Sequence, residues 1–275
     1  SSREISTDFE IKKAPVTLTV VLDEFTYGEQ PVIKLQGAPS DSKVIYQYKV
    51  KDKDDSTYVG ITEEGLKKLS AGEYTLKAVV EETENYKGFS ATCDFNVKKA
   101  SATDSYSKVD IEGWTYGENS DTPSIDPDLN PENQPVQYTY YTDETYTTQT
   151  SAENGAETEG GVPKNVGIYY VKAQIPASDN YNEGTATGSF EIKPKEVTVK
   201  PDNLQKHIGE KDPELTYTPD GIVEGETLSE ITLQRESGED ARKYEITATE
   251  TAGANPNYTV TLNTGIFTIE DHNWP

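Results

Sequence analysis

Cysteine, methionine and histidine are nearly missing from this chain of 275 residues, which has one Cys, no Met and two His. A single thiol cannot close an internal disulfide. Cys93 alternates with Ala91, Phe95 and Val97, so it reads as a small apolar side chain on the inner face of a strand. Secreted animal domains of this size usually carry disulfides. The scarcity therefore fits a cytosolic protein or a surface protein that avoids cysteine. The two histidines, His207 in a turn and His272 in the tail, have no neighbours at the spacing of a metal site or a catalytic triad. Both are expected to face solvent. No Gly-rich phosphate loop, Ser elbow or Cys–His pair is present. The 49 Asp and Glu residues single out no glycosidase pair without geometry. The sequence reads as non-enzymatic, with no cofactor required.

Basic residues are also in short supply. Lys and Arg number 25, giving a formal net charge of −24. Nucleic acid needs a basic stripe and an anionic membrane surface a basic patch, so neither is an expected partner. The charge suits a soluble, self-repelling surface and a monomer. No apolar run is long enough to span a membrane. The chain opens on Ser1-Ser2-Arg3-Glu4, without methionine and without a signal peptide, as a processed or excised segment would.

What is present is tyrosine and repetition. Tyr occurs 18 times against Phe 6 and Trp 2, which suits half-buried pleated surfaces with rings inside and hydroxyls at the edge. Gly72-Glu73-Tyr74, Asn85-Tyr86 and Phe95-Asn96-Val97 recur as Gly167-Ile168-Tyr169, Asn180-Tyr181 and Phe190-Glu191-Ile192. A third copy runs through Tyr244, Asn257-Tyr258 and Phe267-Thr268-Ile269. The first and second tyrosines are 12, 12 and 14 residues apart, and the second tyrosine precedes the phenylalanine by 9 in every copy. Self-similarity of this kind marks an array of modules.

The expected modules are 14–99, 100–193 and 194–275, with 1–13 as the tail of a preceding module. Asp8-Phe9-Glu10-Ile11-Lys12-Lys13 repeats the pattern of Asp94-Phe95-Asn96-Val97-Lys98-Lys99, the last strand of the first module. Val16, Leu18 and Val20 alternate with Thr17 and Thr19, a strand pattern. Val32–Leu35 and Val44–Val50 are the next two strands, and Tyr74, Leu76, Ala78 and Val80 should face inward along a fourth. Thr62, Glu63 and Glu64 before Leu66 suit one helical turn. Tyr27-Gly28-Glu29 and Trp114-Thr115-Tyr116-Gly117-Glu118 are turn signals, replaced in the third module by His207-Ile208-Gly209-Glu210. Polar loops are expected over 120–135 and 150–161. Many short strands and no convincing amphipathic helix predict an all-β chain of sandwich modules. The Gly-x-Tyr of the first two copies, at the entry to a penultimate strand, suits a tyrosine corner, whose hydroxyl ties a loop to the backbone. Joints such as Lys98-Lys99-Ala100 and Lys193-Pro194-Lys195 are short, and Pro194 stiffens the second. They predict an elongated array with a radius of gyration of about 30–35 Å, against about 19 Å for one globule of this length.

On these motifs the chain resembles the immunoglobulin-like tandem repeats of bacterial surface proteins. Modules one and two carry the resemblance through Tyr-Gly-Glu, Ala/Val-Gly-x-Tyr-x-x-Lys-Ala, Asn-Tyr and Phe-x-Ile/Val. Module three resembles the MBG-type repeat through Ile208–Tyr217, Gly221–Leu228 and Asn257-Tyr258. The resemblance implies three immunoglobulin-like sandwiches in tandem and a structural stalk or spacer of an adhesin-like protein. It also implies an extracellular place on a bacterial cell surface.

Two stretches stand out as candidate sites. Asp126, Asp128 and Asn130 form an acidic turn that offers oxygens to calcium, without matching the twelve-residue calcium loop. Tyr138 to Tyr146 is the most binding-like stretch. Tyr138 and Tyr140 share a face and should be core, whereas Tyr141 and Tyr146 are free to contact a host glycan or an extracellular protein. The alternative function is therefore a binding module built on the second module's loops. The bland readings are a solvated acidic turn and ordinary strand aromatics.

Overall fold

A computed structural model describes residues 3–151 and 161–272. Apart from a short α-helix and two 3₁₀ turns, the regular structure is β-strand. The described residues form two compact units, one drawn from 3–104, 127–135 and 175–184, the other from 105–126, 136–151, 161–174 and 185–272. Most of the 150–161 loop expected from the sequence lies outside the described residues.

The first repeat runs through β1 (Thr19–Val21), β2 (Phe25–Thr26), β3 (Lys34–Gln36), β4 (Val44–Val50), β5 (Val59–Ile61), α1 (Glu63–Leu66), β6 (Gly72–Val80) and β7 (Phe89–Lys98). Its strands make a two-stranded sheet, β1-β3, and a five-stranded sheet, β2-β7-β6-β4-β5. The alternation read from the sequence sets which side chains enter the core. Val16, Leu18, Val20, Tyr74, Leu76, Ala78 and Val80 are all buried in one cluster with Phe95 and Val97. Helix α1 is the single turn expected. Thr62 caps it by accepting a hydrogen bond from the Gly65 amide, and Leu66 fills the core beneath. Cys93 lies on β7, half-buried against that core, and burial pushes its thiol above the ordinary value.

The second repeat has β8 (Val109–Asp110), β9 (Trp114–Thr115), β10 (Ser124–Ile125), β11 (Gln137–Tyr141), β12 (Gly167–Ile175) and β13 (Gly184–Lys193). Here β8 pairs β10, and the larger sheet has the order β11-β12-β13-β9. Tyr140 is buried as expected and Tyr138 half-buried.

The third repeat has β14 (Lys195–Pro201), β15 (Leu204–His207), β16 (Tyr217–Asp220), β17 (Ile231–Arg235), β18 (Lys243–Glu250), β19 (Tyr258–Leu262) and β20 (Gly265–Glu270), in sheets β16-β14-β19 and β15-β20-β18-β17. Each repeat is thus a pair of sheets, and the chain is a sandwich-like all-β protein.

All three repeats share one device that the hydrophobic pattern does not announce. A short strand runs parallel to the last strand and ends in the Gly-Glu turn, pairing Phe25 with Val97, Trp114 with Ile192 and Lys206 with Ile269. The turns are superposable in their bonding. Glu29, Glu118 and Glu210 each accept from the amide three residues earlier, and Gly28, Gly117 and Gly209 all adopt φ near +80°. The third repeat therefore keeps the turn, with Ile208 at the place of Tyr27 and Tyr116. His207 consequently ends a strand rather than sitting free in a turn. It is half-buried, with its ring 5.1 Å from that of His272, which corrects the expectation that it faces solvent.

Candidate functional site

The corner tyrosines shape the loops around them. The hydroxyls of Tyr74, Tyr169 and Tyr244 donate to the carbonyls of Ser70, Asn165 and Asp240, each four residues earlier, at 2.8, 2.9 and 3.0 Å. This is the tyrosine corner expected from Gly-x-Tyr in the first two repeats, and Tyr244 makes it after Arg242-Lys243, without the glycine. The bond leaves the next amide of the loop, three residues before the tyrosine, pointing outward.

That amide meets the Asn-Tyr motif of the following repeat. The Ala71 amide donates to Asn180 Oδ1 at 2.9 Å, and the Val166 amide donates to Asn257 Oδ1 at 3.0 Å. The tyrosine beside each asparagine meets the tyrosine of the Gly-Glu turn. Tyr27 and Tyr181 form an edge-to-face pair with ring centroids 5.7 Å apart, and Tyr116 and Tyr258 form another at 5.5 Å. The first set of contacts lies wholly in the first compact unit and the second wholly in the second.

Each junction adds its own polar lock. Asn180 is buried and donates through Nδ2 to Glu132 Oε1 at 2.6 Å. Hydrogen bonds from Ser178 and Asn180 hold the Glu132 carboxyl below the usual range. In the second junction the hydroxyls of Tyr116 and Tyr258 both donate to the Glu226 carboxylate, the former at 2.6 Å. Burial and the adjoining Glu226 push Tyr116 up to about 12. Burial would raise Glu226, but the two hydroxyls outweigh it and hold the carboxyl low. Gly117 is packed so closely that a Cβ there would lie 2.4 Å from Val223 Cγ2. Sequence reading assigned these motifs to the fold alone. The missed signal was their joint recurrence, with Tyr-Gly-Glu in one repeat answered by Asn-Tyr in the next.

The tyrosine candidates gather elsewhere. Tyr141 stacks edge-on against Tyr146 at 5.5 Å, and Tyr146 against Tyr170 at 6.2 Å. Tyr141 and Tyr170 are cross-strand partners at the edge of the sheet. The loop is held by Asp143, whose carboxylate accepts from the amides of Thr145, Thr147 and Thr148 and from the hydroxyls of Thr145 and Thr147. These bonds, led by the Thr145 hydroxyl, hold the Asp143 carboxyl far below the usual range. Tyr146 sits at φ +56°, an uncommon conformation for an aromatic residue. Beside it is an open groove of about 490 Å³ lined by Tyr106, Lys108, Glu144, Tyr146, Tyr170 and Ser189. Tyr141 backs this groove without lining it. Tyr106 and Tyr170, which the sequence did not single out, do line it.

The calcium candidates are less assembled. Asp126 and Asp128 are exposed, and Asn130 turns its amide onto the Gln134 backbone at both its oxygen and its nitrogen. Among the described residues no group of three or more His, Cys, Asp or Glu side chains is placed to hold a metal. No helix among them is long and apolar enough to cross a membrane.

Comparison with known proteins places one part of the chain. Residues 197–268 match the model of the MBG domain (YGX type), the type expected for the third repeat. No curated protein matches. Similar solved structures include Drosophila N-cadherin EC1-4, at 10% identity and a TM-score of 0.26, over 92% of this chain and 73% of that one. A 1.5-MDa bacterial ice-binding adhesin is similar at 11% identity and a TM-score of 0.25, over 95% and 100% of the two chains. Three N-terminal domains of the bacteriophage RB49 outer capsid protein Hoc are similar at 13% identity and a TM-score of 0.25, over 94% and 100%.

Proposed function

We propose that the chain is a non-catalytic spacer of tandem immunoglobulin-like modules, 14–99, 100–193 and 194–275, from an adhesin-like protein of a bacterial cell surface. The observation that carries this reading is the repeated junction. The same amide, the same asparagine and the same tyrosine pair close two successive joints. A device that recurs at joints, rather than at one cleft, serves the spacing of modules. The MBG match over 197–268 supports a surface repeat region.

Distance measurement across the first joint tests this. Nitroxides on Lys68→Cys and Glu183→Cys, in a Cys93→Ala background, lie on exposed positions of one compact unit. The expected result is a narrow distance distribution that Asn180→Ala with Tyr181→Ala broadens. A distribution already broad before those changes sinks the spacer reading.

A second reading has its own observation. The Tyr106, Tyr146 and Tyr170 groove offers aromatic faces beside Glu144 and Lys108, a composition suited to sugar rings or a polar peptide. An array of glycans and extracellular proteins decides: signal lost on Tyr146→Ala and Tyr170→Ala favours binding, and silence leaves the spacer. Calcium at the Asp126, Asp128 and Asn130 turn is a separate proposal, dropped if calorimetry at millimolar calcium shows neither heat nor a rise in melting temperature.

A further inference from the structure

The first repeat carries the Asn-Tyr motif in the same presentation as the other two. Ala14 donates to the Asn85 carbonyl at 2.8 Å, as Ala100 does to Asn180 and Lys195 to Asn257. Lys87 returns a bond to the Ala14 carbonyl, as Asn182 does to Ala100. The surroundings differ. Asn180 is 8% exposed, whereas Asn85 is exposed; Tyr86, like Tyr181, is half-buried. The adjoining segment is exposed too. Phe9 and Ile11 are both 84% exposed, although their counterparts Phe95 and Val97 are buried in the first repeat's core.

We infer that Asn85 and Tyr86 form a docking face for one more module of this repeat type, whose last strand is supplied by residues 8–13. Asn85 Oδ1 would accept from the amide three residues before that module's corner tyrosine. Tyr86 would take the edge or face of its Gly-Glu turn tyrosine. The occupant is chosen by chemistry already present twice in the chain: a backbone donor and an aromatic ring at fixed spacing. Phe9 and Ile11 add the apolar pair that such a module lacks without its last strand. The inference rests on the tandem-module reading.

The test is a chimera with a copy of residues 14–93 placed directly before Asp8 of the full chain. Residues 8–13 then stand where 94–99 stand in the first repeat. Hydrogen exchange is read at the Ala71 amide of the added copy, with the Leu76 amide of that copy as the reporter of its folding. Loss of one hydrogen bond corresponds to about tenfold faster opening. Expected is protection at the added Ala71 that falls about tenfold in Asn85→Ala, while Leu76 stays protected. Equal exchange with and without Asn85→Ala overturns the inference. An added copy that does not fold shows that residues 8–13 are not its last strand. A second chimera, residues 14–99 placed directly before Ala14, then tests the face alone, and absence of protection there overturns the whole. Self-association of the unextended chain, abolished by Asn85→Ala, assigns the face to a second copy and also overturns it. Asn180→Ala in the unextended chain separates the two readings. If it releases the native Ala71 amide and Asn85→Ala does not release the added one, only this inference fails.

Discussion

A tyrosine hydroxyl reaching four residues back along its own chain is the smallest unit from which this molecule is built, and Gly-x-Tyr marks it in the first two repeats but not at Tyr244. Tyr169 shows what the ring and the hydroxyl each contribute. Its side chain is 5% exposed and stacks on Phe190, which in turn stacks on Trp114. Tyr169→Ala removes one end of that stack and is expected to cost about 3–5 kcal/mol, as for large aromatic truncations in a core. Tyr169→Phe keeps the stack and loses only the bond to Asn165, about 0.5–1.5 kcal/mol. Calorimetry on both variants separates the two contributions. An unchanged profile for Tyr169→Ala would contradict its place in the core. Asn180 and Asn257 were not legible as joint residues because their partners lie 109 and 91 positions away. Local spacing carries no information about such pairs.

Alternation fixed the long strands in advance, because each buries one face. Residues of β6 such as Leu76 and Ala78 entered the core where the pattern placed them. The two-residue parallel strands escaped notice, since two residues give no period. Their occupants nevertheless determine how each repeat is capped. Phe25 and Trp114 join aromatic stacks, whereas Lys206 takes the same register in the third repeat and brings ions with it. Its ammonium contacts Asp212 at 2.7 Å and Glu239, and Arg235 bonds the same two carboxylates while lying 4.9 Å over the Phe267 ring. The bonds from Arg235 and then Lys206 lower Asp212 to about 2. A carboxylate with a depressed folded pKa stabilises above its unfolded value of about 3.9 and loses that contribution as pH falls. The third repeat should therefore lose stability between about pH 4 and pH 2. Asp212→Asn should already be less stable at pH 7 and show a flatter acid dependence. Melting followed from pH 2 to pH 7 checks this, and identical acid profiles for the two proteins would count against the network.

At the scale of the whole molecule the governing quantity is charge, because the joints and cores leave most carboxylates at the surface. With −24 formal charges at pH 7, two copies meeting at random repel each other. Screening at 0.15 M salt confines that repulsion to about 8 Å without removing it at contact. The exposed apolar side chains do not offset it at neutral pH, since the Phe9 and Ile11 pair and the Tyr106 ring are small patches set among polar residues. The expected behaviour is a monomer at pH 7, from low salt to physiological salt. Acidification removes the protection in a defined direction. Protonating carboxylates brings the net charge toward zero near the sequence isoelectric point of about 4.4, where repulsion vanishes and contacts through the exposed rings become competitive. Sedimentation velocity at pH 7 and near pH 4.4, each at two salt concentrations, reads the outcome. Self-association is expected only near the isoelectric point, and it should reverse on return to pH 7. A stable dimer at pH 7 in physiological salt would show that a specific self-complementary face outweighs the charge, and the monomer expectation would fall with it.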